Sequence, residues 1–299
     1  QVYNAWGTKI PAEFTPRNVL IFCVIALLCI GSVMVASASM PYADRLHENA
    51  FHYVIRHGIS ILVAAAAAFL TYKVSLNIWF NNTFPLWLMT ILLLAVVLIV
   101  GTEVNGSTRW IRIAGFTLQA SEVAKVMMAI FTADYVVRRA EEVRNNLSGL
   151  FRLGGVMVIT VGLILAEPDL GATAVIVLMI LGVFFLAGAP PIQFIGFMLA
   201  IILGLAAAII FEPYRLQRAL SFTDPWADPL GTGYQLSNAL MAFGRGEWAG
   251  VGLGHSIQKM AYLPEAHTDF MLAILGEEFG FFGIATVLAL SFTMLVCCI

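Results

Sequence analysis

The sequence predicts an all-α polytopic membrane protein, and three observations carry that prediction. Of its 299 residues, 60% are apolar and only 11% charged, against about 25% charged in soluble domains. Its mean hydropathy is +0.89. The apolar residues collect in long runs, several near the roughly 20 residues a helix needs to cross a bilayer. The net charge of −2 says nothing about partners, because distribution matters here rather than the sum. No basic stripe suggests nucleic acid.

The elements follow in order. The polar tail Gln1–Arg17 shows no cleavable signal and leads into a full-length apolar span, so the first helix is an anchor. The apolar runs are Val19–Ala38, Phe51–Leu70, Phe84–Gly101, Val123–Val137, Leu153–Ala166, Leu170–Ala189, Ile192–Phe211 and Ile284–Ile299. Eight transmembrane helices are therefore expected, the short fourth and fifth borrowing length from their flanks. Cys23, Cys29, Cys297 and Cys298 all lie in apolar runs without CxxC spacing and read as small apolar fillers.

Basic residues orient the chain. Lys9, Arg17, Lys73, Arg138, Arg139, Arg144 and Arg152 fall on one side. The opposite short loops hold Arg45, Arg109 and Arg112, with Arg56 if the second span starts late. The positive-inside rule puts the N-terminus in the cytoplasm and makes 136–155 a cytoplasmic linker. Sixteen residues follow Gly283, a rise of about 24 Å against a core of about 30 Å. With no starting Met either, the natural protein is expected to continue past Ile299 and to have been trimmed at its N-terminus. The chain thus reads as one integral membrane domain, incomplete at its C-terminus.

The connection after the seventh span, Glu212–Thr268, has 57 residues, a length that points to function. It reads as an extracytoplasmic loop with short interfacial helices. "EPYRLQRALSF" (212–222) is patterned as an amphipathic helix. "TDPWADPLGTGYQ" (223–235) is turn-rich, with Trp226 and Tyr234 suited to an interface. "LSNALMAFGRGEWAGVGLGHSIQKM" (236–260) reads as a half-helix followed by a glycine-dense turn. Its glycines fit neither nucleotide motif; they permit close backbone approach or simply form a hairpin. Lys259, Arg245 and His255 either face an anionic headgroup or line a solvated loop.

Three polar clusters fall on the outer side. In "YLPEAHTDFMLAILGEE" (262–278), a helix starting at Pro264 would put Glu265 and Asp269 on one face. Asp269 stands one residue before the apolar run. There it can take a proton from a hydroxyl nucleophile, or merely cap the helix and meet interfacial solvent. His267 would orient a partner or bind an anion. In the loop "NGSTRWIRIAGFTLQASEVAKV" (105–126), Asn105-Gly106 marks a turn, Ser121 a cap, and Glu122 with Lys125 an i,i+3 pair. That pair is a structural pin, a snorkelling pair, or part of a site for pyrophosphate. "AEPDLGAT" (166–173) makes a tight turn in which Glu167 and Asp169 serve turn chemistry or the site.

"NGSTRWIRIAGFTLQASEVAK", "EPDLGAT" and "LPEAHTDFMLAILGEEFGFFG", in this order between these spans, resemble the SEDS family (shape, elongation, division and sporulation proteins). The resemblance covers nearly the whole chain. "YRLQRALSFTDPWADPLGTGYQ" and Ala266 resemble its division-type branch more than its elongation-type branch. The resemblance implies a peptidoglycan glycosyltransferase that polymerises lipid II, a disaccharide-pentapeptide on undecaprenyl pyrophosphate, at the outer face of the bacterial inner membrane. It matches Asp269 to the family's essential acid, and Glu122 with Lys125 to its fourth-helix ion pair. The reaction needs a base for the acceptor hydroxyl, for which Asp269 is the candidate. It also needs cations at the leaving pyrophosphate, from Lys125, Arg109, Lys259 or Arg245, alone or with a divalent cation. Glu265 would tune Asp269 or cap the helix, and Asp169 would be a supporting acid. Implied partners are lipid II, a class B penicillin-binding protein transpeptidase and division-complex regulators at the septum. Family members usually have ten spans and a "GGSS"-type motif between the last two; this sequence contains neither. A lipid II flippase and a non-catalytic division scaffold are the competing readings. The near-absence of charge inside the fifth to seventh runs weighs against transport.

Overall fold

In the computed structural model, the described residues are 15–104, 107–113, 116–145, 147–211, 216–217, 220–263 and 266–298. The elements are α1 (Pro16–His47), α2 (His52–Lys73), α3 (Leu76–Asn81), α4 (Thr83–Val100), β1 (Thr102–Val104), β2 (Ser107–Ile113), β3 (Phe116–Gln119), α5 (Ala120–Arg138), α6 (Ala140–Asn145), α7 (Leu147–Ala166), α8 (Leu170–Leu186), α9 (Pro191–Ile210), α10 (Tyr234–Gly246), a π-helical turn (Gln258–Tyr262) and α11 (Met271–Cys298). Each of the eight apolar runs falls on a helix. Among the described residues, four helices (Pro16–Leu46, His52–Lys73, Thr83–Val100 and Met271–Cys298) are long and apolar enough to cross a membrane. Phe151–Ala166, Leu170–Leu186 and Pro191–Ala207 are apolar but shorter. The protein is a mostly helical membrane protein with several apolar spans.

The chain forms two compact units, Leu70–Phe211 and the pair of segments Gln1–Phe69 with Glu212–Ile299. In the first, α4, α5, α7 and α8 close on Leu94, Val97, Met128, Leu153, Ile164, Ile176, Ile180 and Phe184. Trp87 donates its indole N–H to Thr160 Oγ1 at 3.1 Å, which lets a polar-tipped ring sit in that core. Buried Asp134 is satisfied by Thr83 at 2.8 Å and Arg138 at 2.6 Å. The linker at 136–155 is almost entirely helical, and Glu142 pairs with both Arg139 and Arg152.

One segment read as loop is a sheet. β1, β2 and β3 form a three-stranded antiparallel meander, with Val104 opposite Ser107 and Trp110 opposite Gln119. The alternation in "TRWIRI" matches a strand's two-residue period. Asn105-Gly106, a frequent hairpin signal, lies outside the described residues, between two paired strands.

In the second unit, Met34 and Ala38 of α1 pack with Ala239 and Ala242 of α10 and with Ala273, Ile274 and Leu275 of α11. So many small side chains let helices approach closely where burial from water gives little drive. α11 starts at Met271 rather than at Pro264. Residues 266–270 form turns, and the amides of Ala273 and Ile274 both reach the carbonyl of Phe270. Pro264 and Glu265 lie outside the described residues, as does much of the amphipathic stretch expected at 212–222.

α11 is also broken. Gly280 adopts φ 65°, ψ −158°, in the left-handed range that favours glycine. The break releases two helical bonds and replaces them with four to the glycine-rich segment. Phe281 and Phe282 donate to the carbonyls of Glu247 and Trp248, at 2.9 and 3.2 Å. The carbonyls of Glu277 and Glu278 accept from Val251 and Gly252, at 2.9 and 3.0 Å. Of the two readings for those glycines, close backbone approach is the one observed. A Cβ at Gly246 would collide with the Gly276 carbonyl, and one at Gly250 with the Glu278 carbonyl.

Gly246→Ala should therefore lower stability by about 1–3 kcal/mol, the usual range for overpacking. Gly244, in the same helix with nothing within 4 Å of an added Cβ, should tolerate alanine or gain slightly from helix propensity. Thermal unfolding in detergent compares the two; equal losses would contradict the close-approach explanation.

Candidate functional site

The candidate residues divide between the two units. In the unit of α1, α2, α10 and α11, Asp269 is exposed at the turn before α11, flanked by buried Ala266 and half-buried Phe270. Among the described residues its carboxylate has no hydrogen-bond or ion-pair partner. A solvent-facing, uncommitted carboxylate at a helix mouth can accept a proton from an approaching hydroxyl. His267, two residues earlier, stacks on Tyr42 with ring centroids 5.1 Å apart.

Behind this turn sit two acids that the sequence reading left without a role. Glu277 and Glu278 are 0% and 1% exposed. Glu277 accepts from Arg245 at 2.6 Å, from the Ser256 hydroxyl, and from the amides of Ile257 and Gln258 at 3.0 and 3.3 Å. Glu278 accepts from Lys259 at 2.6 Å and from Ser37 at 2.8 Å, while Lys259 also donates to Ser37 at 2.9 Å. Arg245 and Lys259, expected to face an anionic group or solvent, instead neutralise buried carboxylates. Lys259 is itself buried. A lone charge at such depth is costly and a matched, hydrogen-bonded pair far less so. The signal was present in "GEE", two acids inside an apolar stretch. His255 stays exposed, with its ring nitrogen Nδ1 near the Leu253 carbonyl.

In the other unit, β2, β3 and the α7–α8 turn build a second polar cluster. Asp169 caps α8 by accepting from the Ala172 amide at 3.0 Å. Its other oxygen accepts from Gln119 at 2.9 Å and Ser121 at 3.1 Å. Ser121, expected to cap α5, lies inside its first turn, and Gln119 is the residue at the cap position. Arg109 reaches the same turn from β2, donating to the carbonyls of Glu167 and Pro168 at 3.3 and 2.7 Å, with Asp169 3.9 Å away.

Glu167 is the exception in this well-paired turn. It is fully buried, and neither carboxylate oxygen has a partner among the described residues. Burial first, and the neighbouring Asp169 charge second, push its pKa up to about 7 from a usual 4.5, with Arg109 opposing. Nearby, Glu122 in the first turn of α5 and Lys125 in the next pair at 2.7 Å. With side chains 58% and 26% exposed, this is not a costly buried pair, and exposed pairs contribute little to stability. Among the described residues, no group of three or more His, Cys, Asp or Glu is arranged to hold a metal ion.

Comparison with known proteins agrees with these motifs. The family model of FtsW, RodA and SpoVE, described as cell cycle protein, matches residues 17–299. A "probable peptidoglycan glycosyltransferase FtsW" of Acinetobacter baylyi is 73% identical over 299 residues, covering all of this chain and 75% of the relative. One of the same name in Alteromonas naphthalenivorans is 48% identical over 277 residues, covering 93% of this chain and 54% of the relative. The chain thus spans about half to three quarters of these relatives. Among solved structures, a chain from "Structural coordination of polymerization and crosslinking by a peptidoglycan synthase complex" matches with a TM-score of 0.70 at 28% identity, covering 93% of this chain and 75% of that one. The division-type resemblance read from the sequence is borne out.

Glu167 gives a pH prediction. Its folded pKa lies above its unfolded one, so the folded state holds the proton more tightly between them. Its contribution to stability is then full below pH 4.5 and is lost as pH rises through about 7, about 3 kcal/mol in all. Glu167→Gln should flatten the melting temperature against pH between 5 and 8. Parallel curves for the two proteins would remove Glu167 as the cause.

Proposed function

This chain belongs to the FtsW/RodA/SpoVE family of cell cycle proteins, and from that premise we propose that it is a peptidoglycan glycosyltransferase polymerising lipid II. The relatives' names support the activity. Asp269 is the single observation that carries the mechanism: an exposed carboxylate without a partner among the described residues, at the mouth of a membrane helix. It takes the proton from the acceptor sugar hydroxyl as that oxygen attacks the donor's anomeric carbon. The bond to pyrophosphate breaks, and undecaprenyl pyrophosphate leaves with the bonding electron pair. Attack from the face opposite the leaving group inverts that centre.

Lys125 and Arg109 are the cations proposed for the pyrophosphate. Glu122 holds Lys125 in place, and Asp169 holds the turn to which Arg109 is bonded. The surface pair adds little to the fold, which supports a functional reading for it. Lys259 and Arg245 are assigned instead to the buried acids.

In this reading the eight apolar helices are spans with the N-terminus cytoplasmic, and the complete protein has ten. The segment 212–268 lies on the outer side. The protein works at the septum of the inner membrane with a class B penicillin-binding protein and division regulators. The solved synthase complex supports such a partnership. A flippase remains the second reading, because α11 is discontinuous and carries buried ionisable groups beside its break, a feature of transporters. Those groups are mutually neutralised, which favours an architectural role.

Full-length protein with its cognate transpeptidase should make glycan strands from purified lipid II. Asp269→Ala and Asp269→Asn should reduce the rate at least 100-fold, within the contribution typical of a general base, with unchanged melting temperature. Strands from folded Asp269→Ala at the wild-type rate would take this residue out of the chemistry. Lys125→Ala should slow the reaction while costing less than about 1 kcal/mol of stability; an unfolded variant would make the pair a structural pin.

A further inference from the structure

We propose that Tyr42 and Tyr53 are positioning residues: they grip the His267 ring and so hold the turn from which Asp269 is presented. The inference rests on the reading of Asp269 as the base. His267 lies 5.1 Å from Tyr42 at an interplanar angle of 27°, and 5.0 Å from Tyr53 at 46°. The two tyrosines are 6.0 Å apart, and His52 meets Tyr53 edge-on at 5.3 Å. Four rings from α1, α2 and the turn before α11 therefore form one cluster, at separations where aromatic pairs attract.

The cluster can hold the turn only if its own mounts are fixed, and they are. Tyr42 stands on α1 between Ala38 and Ala43, both buried. A tight connection joins α1 to α2. Glu48 closes α1 in a left-handed conformation with its amide on Asp44, Asn49 Oδ1 accepts from the Phe51 amide, and the Asn49 carbonyl accepts from His52. Tyr42 and Tyr53 thus sit at set positions on either side of a short hairpin.

The turn needs such a hold. Residues 266–270 are non-helical. The Ala266 side chain is buried on the upstream side, and the Phe270 carbonyl is bonded to α11 on the downstream side. Between these two anchors stand His267, Thr268 and Asp269, and the stacked imidazole is the large side chain among them. A displacement of about 1 Å in a reacting group can cost about 100-fold in rate, so a loose turn would leave Asp269 present but badly aimed. This use of His267 is as a ring in a slot rather than as a ligand for anions.

The test compares Tyr42→Ala/Tyr53→Ala with Tyr42→Phe/Tyr53→Phe in the full-length protein with its transpeptidase. Lipid II polymerisation and hydrogen exchange are both measured. The alanine pair should lose at least tenfold in kcat with little change in KM, and exchange should quicken at 263–270 while α11 beyond Gly280 stays protected. The phenylalanine pair keeps the rings and should restore most of the rate. His267→Phe should retain more turnover than His267→Ala. Unchanged exchange in the turn would overturn the proposal whatever the rate, and so would faster exchange with full kcat. An equal loss in the phenylalanine pair would assign the effect to the hydroxyls instead, against the proposal. Asp269→Ala, run alongside, separates the two ideas. Should it remain active, the base reading fails, and exchange alone then judges the grip.

Discussion

Two adjacent carboxylates, Glu277 and Glu278, are buried in the interior of one unit, and most of that unit's architecture follows from satisfying them. Consecutive residues on a helix point in different directions, so each acid needs its own cation and its own donors. Glu277 draws Arg245 from the end of α10, with the Ser256 hydroxyl and two backbone amides. Glu278 draws Lys259 from the π-helical turn and Ser37 from α1. The glycine-rich segment must therefore lie against the backbone of α11. Glycine at 246, 250 and 280 removes the side chains that would prevent it. The break at Gly280 then frees main-chain groups that the same segment satisfies.

This arrangement has a consequence for the turn before α11. Two of the cations that sequence alone would offer to an anionic substrate, Lys259 and Arg245, are committed to buried acids, while Asp269 at the helix mouth has no hydrogen-bond or ion-pair partner among the described residues. Charge matched in the interior and left unmatched at the helix mouth separates what holds the fold from what is free to react. In the other unit, the turn at 167–169 also sets a satisfied acid beside one without a partner among the described residues, but there the second acid is buried. Asp169 caps α8 and accepts hydrogen bonds on both oxygens, while its neighbour Glu167 is buried with neither oxygen satisfied among the described residues.

Much of this was legible in the sequence. Runs of apolar residues located the helices, because burial in lipid demands continuous apolarity and internal backbone bonding. Asp269 stood out because a charge beside an apolar run has a cost that needs a reason. The β-meander was missed because polar residues and a turn dipeptide suggested a loop, although "TRWIRI" alternates as a strand does. The roles of Lys259 and Arg245 were not legible. Their partners Glu278 and Glu277 lie 19 and 32 residues away, and pairing over that distance depends on how the segment between them folds back. The late start of α11 was hidden for a related reason: Pro264 is a good first helical residue, but residues 266–270 form turns in which Ala266 is buried and His267 stacks on Tyr42, contacts that depend on distant elements.

The most direct test of the central claim is a double-mutant cycle between Lys259 and Glu278, read as thermal stability in detergent. Lys259→Met and Glu278→Gln should each cost about 3–5 kcal/mol, since each strands a buried partner. The double variant should recover much of that loss, because no uncompensated charge remains. Additive losses in the double variant would contradict the account, showing that the two side chains act separately and that neutralising the buried acids is not what holds the broken helix in place.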